Sequence, residues 1–240
     1  MEKNVAVIFA GGSGIRMNTK SRPKQFLELH GKPIIIYTLE LFENHPEIDG
    51  IVVACIESWI PYLNKLLQKF EMTKVVAVVP GGETGQESIY NGLKAAQANF
   101  PEDSIVLIHD GVRPLINENT ITDNIKTARE KGNCITCIKA SETLVVKQED
   151  GSLQIPTREN SLIARAPQTF HMNDILAAHE KALSEGKNNF IDSCTMMSAY
   201  GHKMATIIGP VENIKITTPT DFFMFRAIED VRENSQIFGF

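Results

Sequence analysis

Four stretches of this sequence combine residue types and spacings that could hold an anion and act on it. The first is Ala10-Gly11-Gly12-Ser13-Gly14-Ile15-Arg16-Met17, followed by Ser21-Arg22-Pro23-Lys24-Gln25-Phe26. Glycines let a backbone approach a ligand closely, and their successive free N–H groups can form an anion-binding concavity. Arg16 and Lys24 would add fixed positive charge beside it. Two familiar alternatives fail on the letters. A dinucleotide-binding G-x-G-x-x-G needs a third glycine where Met17 stands, and a P-loop needs a Gly-Lys-[Ser/Thr] ending that is missing. A plain glycine turn with solvated charges stays open for the glycines taken alone.

The second stretch, Pro80-Gly81-Gly82-Glu83-Thr84-Gly85-Gln86-Glu87-Ser88, is a glycine loop between an apolar run and a helical one. Such a loop can hold a base or ribose through main-chain groups, and Ser88 could bind ligand or cap the helix. Taken alone it reads as a plain βα loop more often than as a ligand loop. In the third, His109-Asp110-Gly111-Val112-Arg113-Pro114, Asp110 ends a strongly apolar run and suits a Mg²⁺ ligand or an acceptor for a sugar hydroxyl. The alternative is an Asp110–Arg113 pair that organises the turn. The fourth, Asn213-Ile214-Lys215-Ile216-Thr217-Thr218-Pro219, carries Lys215 inside an apolar strand pattern, either solvated or directed into a pocket. Thr218-Pro219 there reads as a helix N-cap and first position. Cys134 and Cys137 lack a second ligand pair for zinc, and the six histidines form no assignable triad.

The elements that must position these residues follow from hydrophobic periodicity. Strands are expected over 5–9, 50–55, 74–79, 104–108 and 134–138, alternating with helices over 33–42, 59–70, 87–98 and 118–130. That alternation implies βαβ units and a mostly parallel sheet covered on both faces, with ligands at the carboxyl ends of its strands. From about 141 to 164 the pattern becomes a polar hairpin around Glu149-Asp150-Gly151, poor core material that would project from the body. Helices over 173–185 and from Asp192, strands over 204–208 and 213–217, and a closing helix from Pro219 complete the chain. The 240 residues suit one α/β domain, with 42% hydrophobic and 22% charged residues in the ordinary globular range. A net charge of −5 argues against a broad nucleic-acid or anionic-membrane surface, so any bound anion must meet a local cluster of cations. Four cysteines and no apolar run of membrane-spanning length point to a cytoplasmic, reducing setting.

In order along the chain, AGGSGIRM, RPKQFLEL-GKP, PGGE-S-NGL, HDGVRP, APQTF and NIKITTP resemble the cytidylyltransferases acting on sugar-alcohol phosphates. The resemblance covers nearly the whole chain. It implies a Rossmann-like nucleotidyltransferase domain with a protruding β-arm that clasps a partner in a homodimer, and the hairpin at about 141–164 fits that arm. It also implies the reaction of CTP with an alditol phosphate, with Mg²⁺, to give a CDP-alditol and pyrophosphate. By motif, Ala10, Gly11, Gly12 and Gly14 would line the phosphate path, and Arg16, Lys24 and Lys215 would serve the reacting phosphates. Gly82 and Ser88 would contact cytosine and ribose, and Asp110 would lie by the ribose and the metal. Thr143 and Arg158 would reach into the partner's site, where Asp192 also lines the substrate pocket.

Three positions depart from the family pattern: Gly85 replaces an arginine, and Ala166 and Ile191 each replace a hydroxyl residue. With Gly11-Gly12 and Ile191-Asp192-Ser193-Cys194, these departures favour ribitol 5-phosphate as substrate. The alternatives are 2-C-methyl-D-erythritol 4-phosphate, as in isoprenoid synthesis, a nucleotidyltransferase using another base, and a nucleotide-binding regulatory protein without catalysis.

Overall fold

The computed structural model describes residues 2–12 and 22–238, with side chains described through residue 234. Its first strand, β1 (Asn4–Ala10), is apolar without interruption from Val5 to Ala10, as a strand covered on both faces requires. Four more strands, β4 (Gly50–Cys55), β5 (Val75–Pro80), β6 (Ile105–Asp110) and β7 (Asn133–Lys139), join it, with a short edge strand β11 (Thr206–Ile208). Between β1 and β4 lie two-residue strands β2 (Glu28–Leu29) and β3 (Lys32–Pro33), which pair across the left-handed residues His30 and Gly31. The arm carries β8 (Val146–Lys147) and β9 (Leu153–Gln154), paired antiparallel.

The strand that the periodicity missed is β10 (Leu162–His171). It inserts antiparallel between β7 and β6, so the main sheet runs β11-β7-β10-β6-β1-β4-β5. Its pairing with β7 shifts register between Ala164 and Gln168, and Pro167 sits in that irregularity, where a residue without an N–H is tolerated. Residues 162–164, expected to belong to the arm, are thus the start of this sheet strand. The expected strand over 213–217 is absent: the segment is irregular and meets the sheet's turn after β6 through Ile216 N–H donating to Val112 O.

Helices α1 (Ile34–Glu43), α2 (Ile60–Lys69) and α4 (Glu118–Lys131) cover one face, around Phe26, Leu39, Leu63 and Ile125. The other face is covered by α3 (Gly85–Asn99), α5 (Met172–Ser184) and α6 (Ser193–Ala199), around Leu93, Phe170 and Leu176. The closing helix α7 (Pro219–Phe238) docks Phe225 beside Ile34, Val112 and Ile216. Local chemistry fixes several ends. Thr84 caps α3, Asn117 caps α4, Asp192 caps α6, and left-handed Gly132 stops α4. Among the described residues no helix is long and apolar enough to cross a membrane.

Candidate active site

The carboxyl ends of β1, β5 and β6 carry loops that build the site, as expected for an open α/β sheet. The loop after β1 and the loop after β5 touch each other. A Cβ added to Gly11 would stand 2.7 Å from Ser88 Oγ, and one added to Gly81 would stand 3.4 Å from Gly11 Cα. Ser88 cannot yield, because its hydroxyl accepts from Gly82 N at 3.0 Å and donates to Thr84 O at 2.9 Å. Glycine at 11 is therefore a steric requirement. Ser88 is loop scaffold and Thr84 holds the cap, so the capping role open to Ser88 in the sequence belongs to Thr84.

Two cavities lie side by side here. The first, about 190 Å³, is lined by Ala10, Gly11, Gly12, Lys24, Gly82 and Ser88, among others. Gln25 Nε2 donates to Ala10 O at 2.6 Å, and this buried bond fixes the Pro23-Lys24-Gln25 turn against the end of β1. Lys24 is thereby brought to the glycine loops, with 8% exposure. The second cavity, about 220 Å³, runs beneath β10 and α6 and includes Arg113, Arg165, Ala166, Gln168, Ile191 and Asp192. Phe9, Gly85, Asp110 and Lys215 line both.

Asp110 and Lys215 thus form the shared wall. Lys215 Nζ pairs with Asp110 Oδ1 at 2.5 Å, and Arg113 Nε with Asp110 Oδ2 at 2.7 Å. The segment carrying Lys215 is tied down on both sides: Arg113 Nη1 donates to Asn213 O at 3.0 Å, and Asn213 Nδ2 donates to Ala166 O at 2.6 Å. Burial alone would push the Asp110 carboxyl up, but Arg113 and Lys215 outweigh it and hold it far below the ordinary carboxylate range. Neighbouring His109 is fully buried, and desolvation lowers its pKa to about 4, so it is neutral at pH 7.

A metal on Asp110 does not fit this arrangement. Both of its oxygens already face cations, and the one cluster of three metal-capable side chains among the described residues is His30, Asp230 and Glu233, on α7 and the β2–β3 turn. The Asp110–Arg113 pair left open by the sequence is real, and it coexists with a place in the cavity wall.

Other expectations fare differently. Asp192 lines the second cavity, yet Oδ1 accepts from Thr195 N at 2.7 Å and Oδ2 from Gln168 Nε2 at 3.1 Å, so its carboxylate anchors α6. Gln168 completes that anchor by accepting from Cys194 N at 2.8 Å. Thr143 and Arg158 stand exposed on the arm and line neither cavity of their own chain. Gly14 and Arg16 lie outside the described residues. Arg113 was visible only as a turn residue, and Arg165 gave no sequence signal, because a charged letter in a strand flanked by the arm reads as solvent-facing.

The chain matches the family described as 2-C-methyl-D-erythritol 4-phosphate cytidylyltransferase (IspD) over residues 4–230. It is 53% identical over 237 residues to a protein of Vibrio parahaemolyticus called ribitol-5-phosphate cytidylyltransferase, covering 98% of this chain and 100% of that one. A 2-C-methyl-D-erythritol 4-phosphate cytidylyltransferase of Clostridium botulinum (strain Loch Maree / Type A3) is 39% identical over 225 residues, covering 93% of this chain and 96% of that one. The crystal structure of 4-diphosphocytidyl-2C-methyl-D-erythritol synthase from Anaerococcus prevotii superposes with a TM-score of 0.82 at 27% identity, covering 95% of this chain and 96% of that one. Fold, sequence and the loops at the sheet's carboxyl edge agree, and the chain belongs to the IspD family of cytidylyltransferases, which are nucleotidyltransferase enzymes.

Proposed function

We propose that this chain transfers the cytidylyl group of CTP to ribitol 5-phosphate, releasing pyrophosphate and forming CDP-ribitol. The observation that carries this reading is the shared wall of Asp110 and Lys215 between two cavities. Two anionic substrates must meet at one phosphorus, so two pockets with a cation between them are what the chemistry needs. The glycine-lined cavity takes CTP, and the cavity beneath β10 takes the alditol phosphate. The relatives called ribitol-5-phosphate cytidylyltransferase, at 52–53% identity, favour ribitol over the methyl-branched substrate of those at 37–39%.

An oxygen of the substrate phosphate attacks the α-phosphorus. The new P–O bond forms as the bond to the bridging α–β oxygen breaks, and that electron pair leaves on pyrophosphate. The attacking oxygen is already anionic at pH 7, so positioning and charge neutralisation matter more than a general base. Lys215 sits where charge is exchanged, and Lys24 by the glycine loops meets the triphosphate, with Arg16 expected beside it. Mg²⁺, when bound, neutralises phosphate charge. Asp110, held by two cations, would not be the ligand of that ion.

The arm supports a homodimer. Val145, Leu153 and Ile155 are 56%, 65% and 64% exposed, and an isolated two-stranded hairpin is at best marginally stable in water. A partner surface would cover those side chains and carry Thr143 and Arg158 to the partner's second cavity, where they would hold the substrate phosphate.

The test is pyrophosphate release from CTP and Mg²⁺ with ribitol 5-phosphate and 2-C-methyl-D-erythritol 4-phosphate side by side. Ribitol 5-phosphate is expected to lead by at least about tenfold in kcat/KM, a gap of about 1.4 kcal/mol. Preference for the methyl-branched substrate would overturn the ribitol assignment, and CTP binding with no turnover on either would overturn the enzymatic one.

A further inference from the structure

The second cavity contains a cation with nothing to hold. Arg165, on β10, lines this cavity and not the nucleotide one. Its Nε is buried and without a hydrogen-bond partner, and no ion pair among the described residues engages its guanidinium. The charged side chain that acts on it is Arg113, which repels it. A buried donor left unmet is costly, so one at the wall of a cavity calls for an acceptor from outside the chain.

The surrounding residues narrow what that acceptor is. Ala166, Ile191, Phe190 and Met196 give this end of the cavity apolar walls, and the Gln168 amide and Asp192 carboxylate are already engaged with each other. The reacting phosphate must lie at the wall formed by Asp110 and Lys215, so the alditol chain extends from there toward Arg165. We propose that Arg165 is a specificity-determining residue, donating from Nε to a hydroxyl oxygen near the far end of the five-carbon alditol chain, one that the shorter four-carbon methyl-branched chain does not carry, and so selecting ribitol 5-phosphate. A site built to hydrogen-bond a hydroxyl discriminates against an analogue that lacks it far more strongly than an apolar pocket does against one extra methylene. This inference rests on the alditol phosphate reading of the second cavity.

The test compares wild type, Arg165→Met and Arg165→Lys for both substrates. In Arg165→Met, kcat/KM for ribitol 5-phosphate is expected to fall by about 10–100-fold, mainly through its KM. The KM for CTP should stay within about twofold, and the preference for ribitol over the methyl-branched substrate should collapse. Arg165→Lys keeps a donor and should recover part of the preference. If Arg165→Met melts with wild type yet keeps the wild-type preference, or if both substrates lose equally, the inference is wrong while the activity stands. If wild type itself fails to prefer ribitol 5-phosphate, the underlying functional reading fails instead.

Discussion

Replacing Asp110 by asparagine removes the negative charge between Arg113 and Lys215 while keeping the side chain's shape and one acceptor oxygen. The side chains of Arg113 and Asp110 are 10% and 7% exposed, so the guanidinium would be left nearly dry. Removing one partner of a buried pair costs about 3–5 kcal/mol, and the lower end applies because Asn213 O still accepts from Arg113. The Lys215 side chain is 37% exposed, so solvent screening limits its share to about 1 kcal/mol or less. For a chain of this length, a total near 3 kcal/mol lowers Tm by roughly 6–12 °C. The pH dependence has a definite sign. The folded carboxyl lies far below its ordinary value, so its stabilisation is complete above the unfolded pKa of about 3.9 and is lost as pH falls toward the folded one. The gap between wild type and Asp110→Asn, measured by urea unfolding, should be full at pH 7 and narrow from pH 5 toward pH 3. Activity should fall by about 10²–10³ as Lys215 loses its anchor, and Lys215→Met should cost less in the Asp110→Asn background than alone. A stability loss below about 1 kcal/mol at pH 7, or additive effects of the two substitutions on kcat/KM, would refute the reasoning.

Two further outcomes follow from the same geometry. Burial lowers both His109 and His179 to a pKa of about 4, so between roughly pH 6.5 and 4 the unfolded chain binds more protons and stability rises with pH. Each histidine should contribute a loss of about 2 kcal/mol between pH 7 and pH 5, and His179→Leu should remove one such share in urea titrations at the two pH values. For the proposed arm-linked homodimer, Arg158→Ala and Lys215→Met variants mixed and re-equilibrated should regain activity. A two-fold heterodimer has one site with both residues intact, roughly a quarter of all sites. No recovery on mixing would place Arg158 in its own chain's site or outside the chemistry.

Much of the fold was legible because β1, β4 and β6 are covered on both faces and read as unbroken apolar runs. β10 was hidden for a physical reason. Its first half is only partly covered, a proline sits at its register shift, and its partners lie far away in sequence, so no local period marks it. The 213–217 segment erred the other way. Its alternating isoleucines imitate a strand, but Ile216 is buried against α7 and Val112 by tertiary contacts, with no strand beside it. At the site, the letters singled out Asp110 and Lys215 without revealing that they face each other, since 105 positions separate them. Ser88 was legible as a polar residue beside a glycine loop and Asp192 through the family resemblance, yet their polar atoms serve the loop and the helix cap. Short hydroxyl and carboxylate side chains readily bond nearby backbone, and sequence alone does not tell that use from ligand binding.

The pairing of Lys215 with Asp110 raises the question of how a cation already held by a carboxylate can serve two phosphates, as the proposed reaction requires. An ammonium carries three donors. One meets Asp110 Oδ1, which leaves two for ligands in the cavities that Lys215 lines on either side. The carboxylate therefore need not be displaced when substrates arrive. It fixes the direction of the donors beforehand, so little reorganisation remains at the moment of transfer, the condition under which fixed charges stabilise a transition state most. Arg113, bound to the other oxygen and to the backbone of the lysine's own segment, keeps Asp110 from following Lys215 into either pocket. The pair is thus a positioned cation with its counter-charge behind it, which is why Asp110→Asn should cost catalysis even though the residue touches no reacting atom.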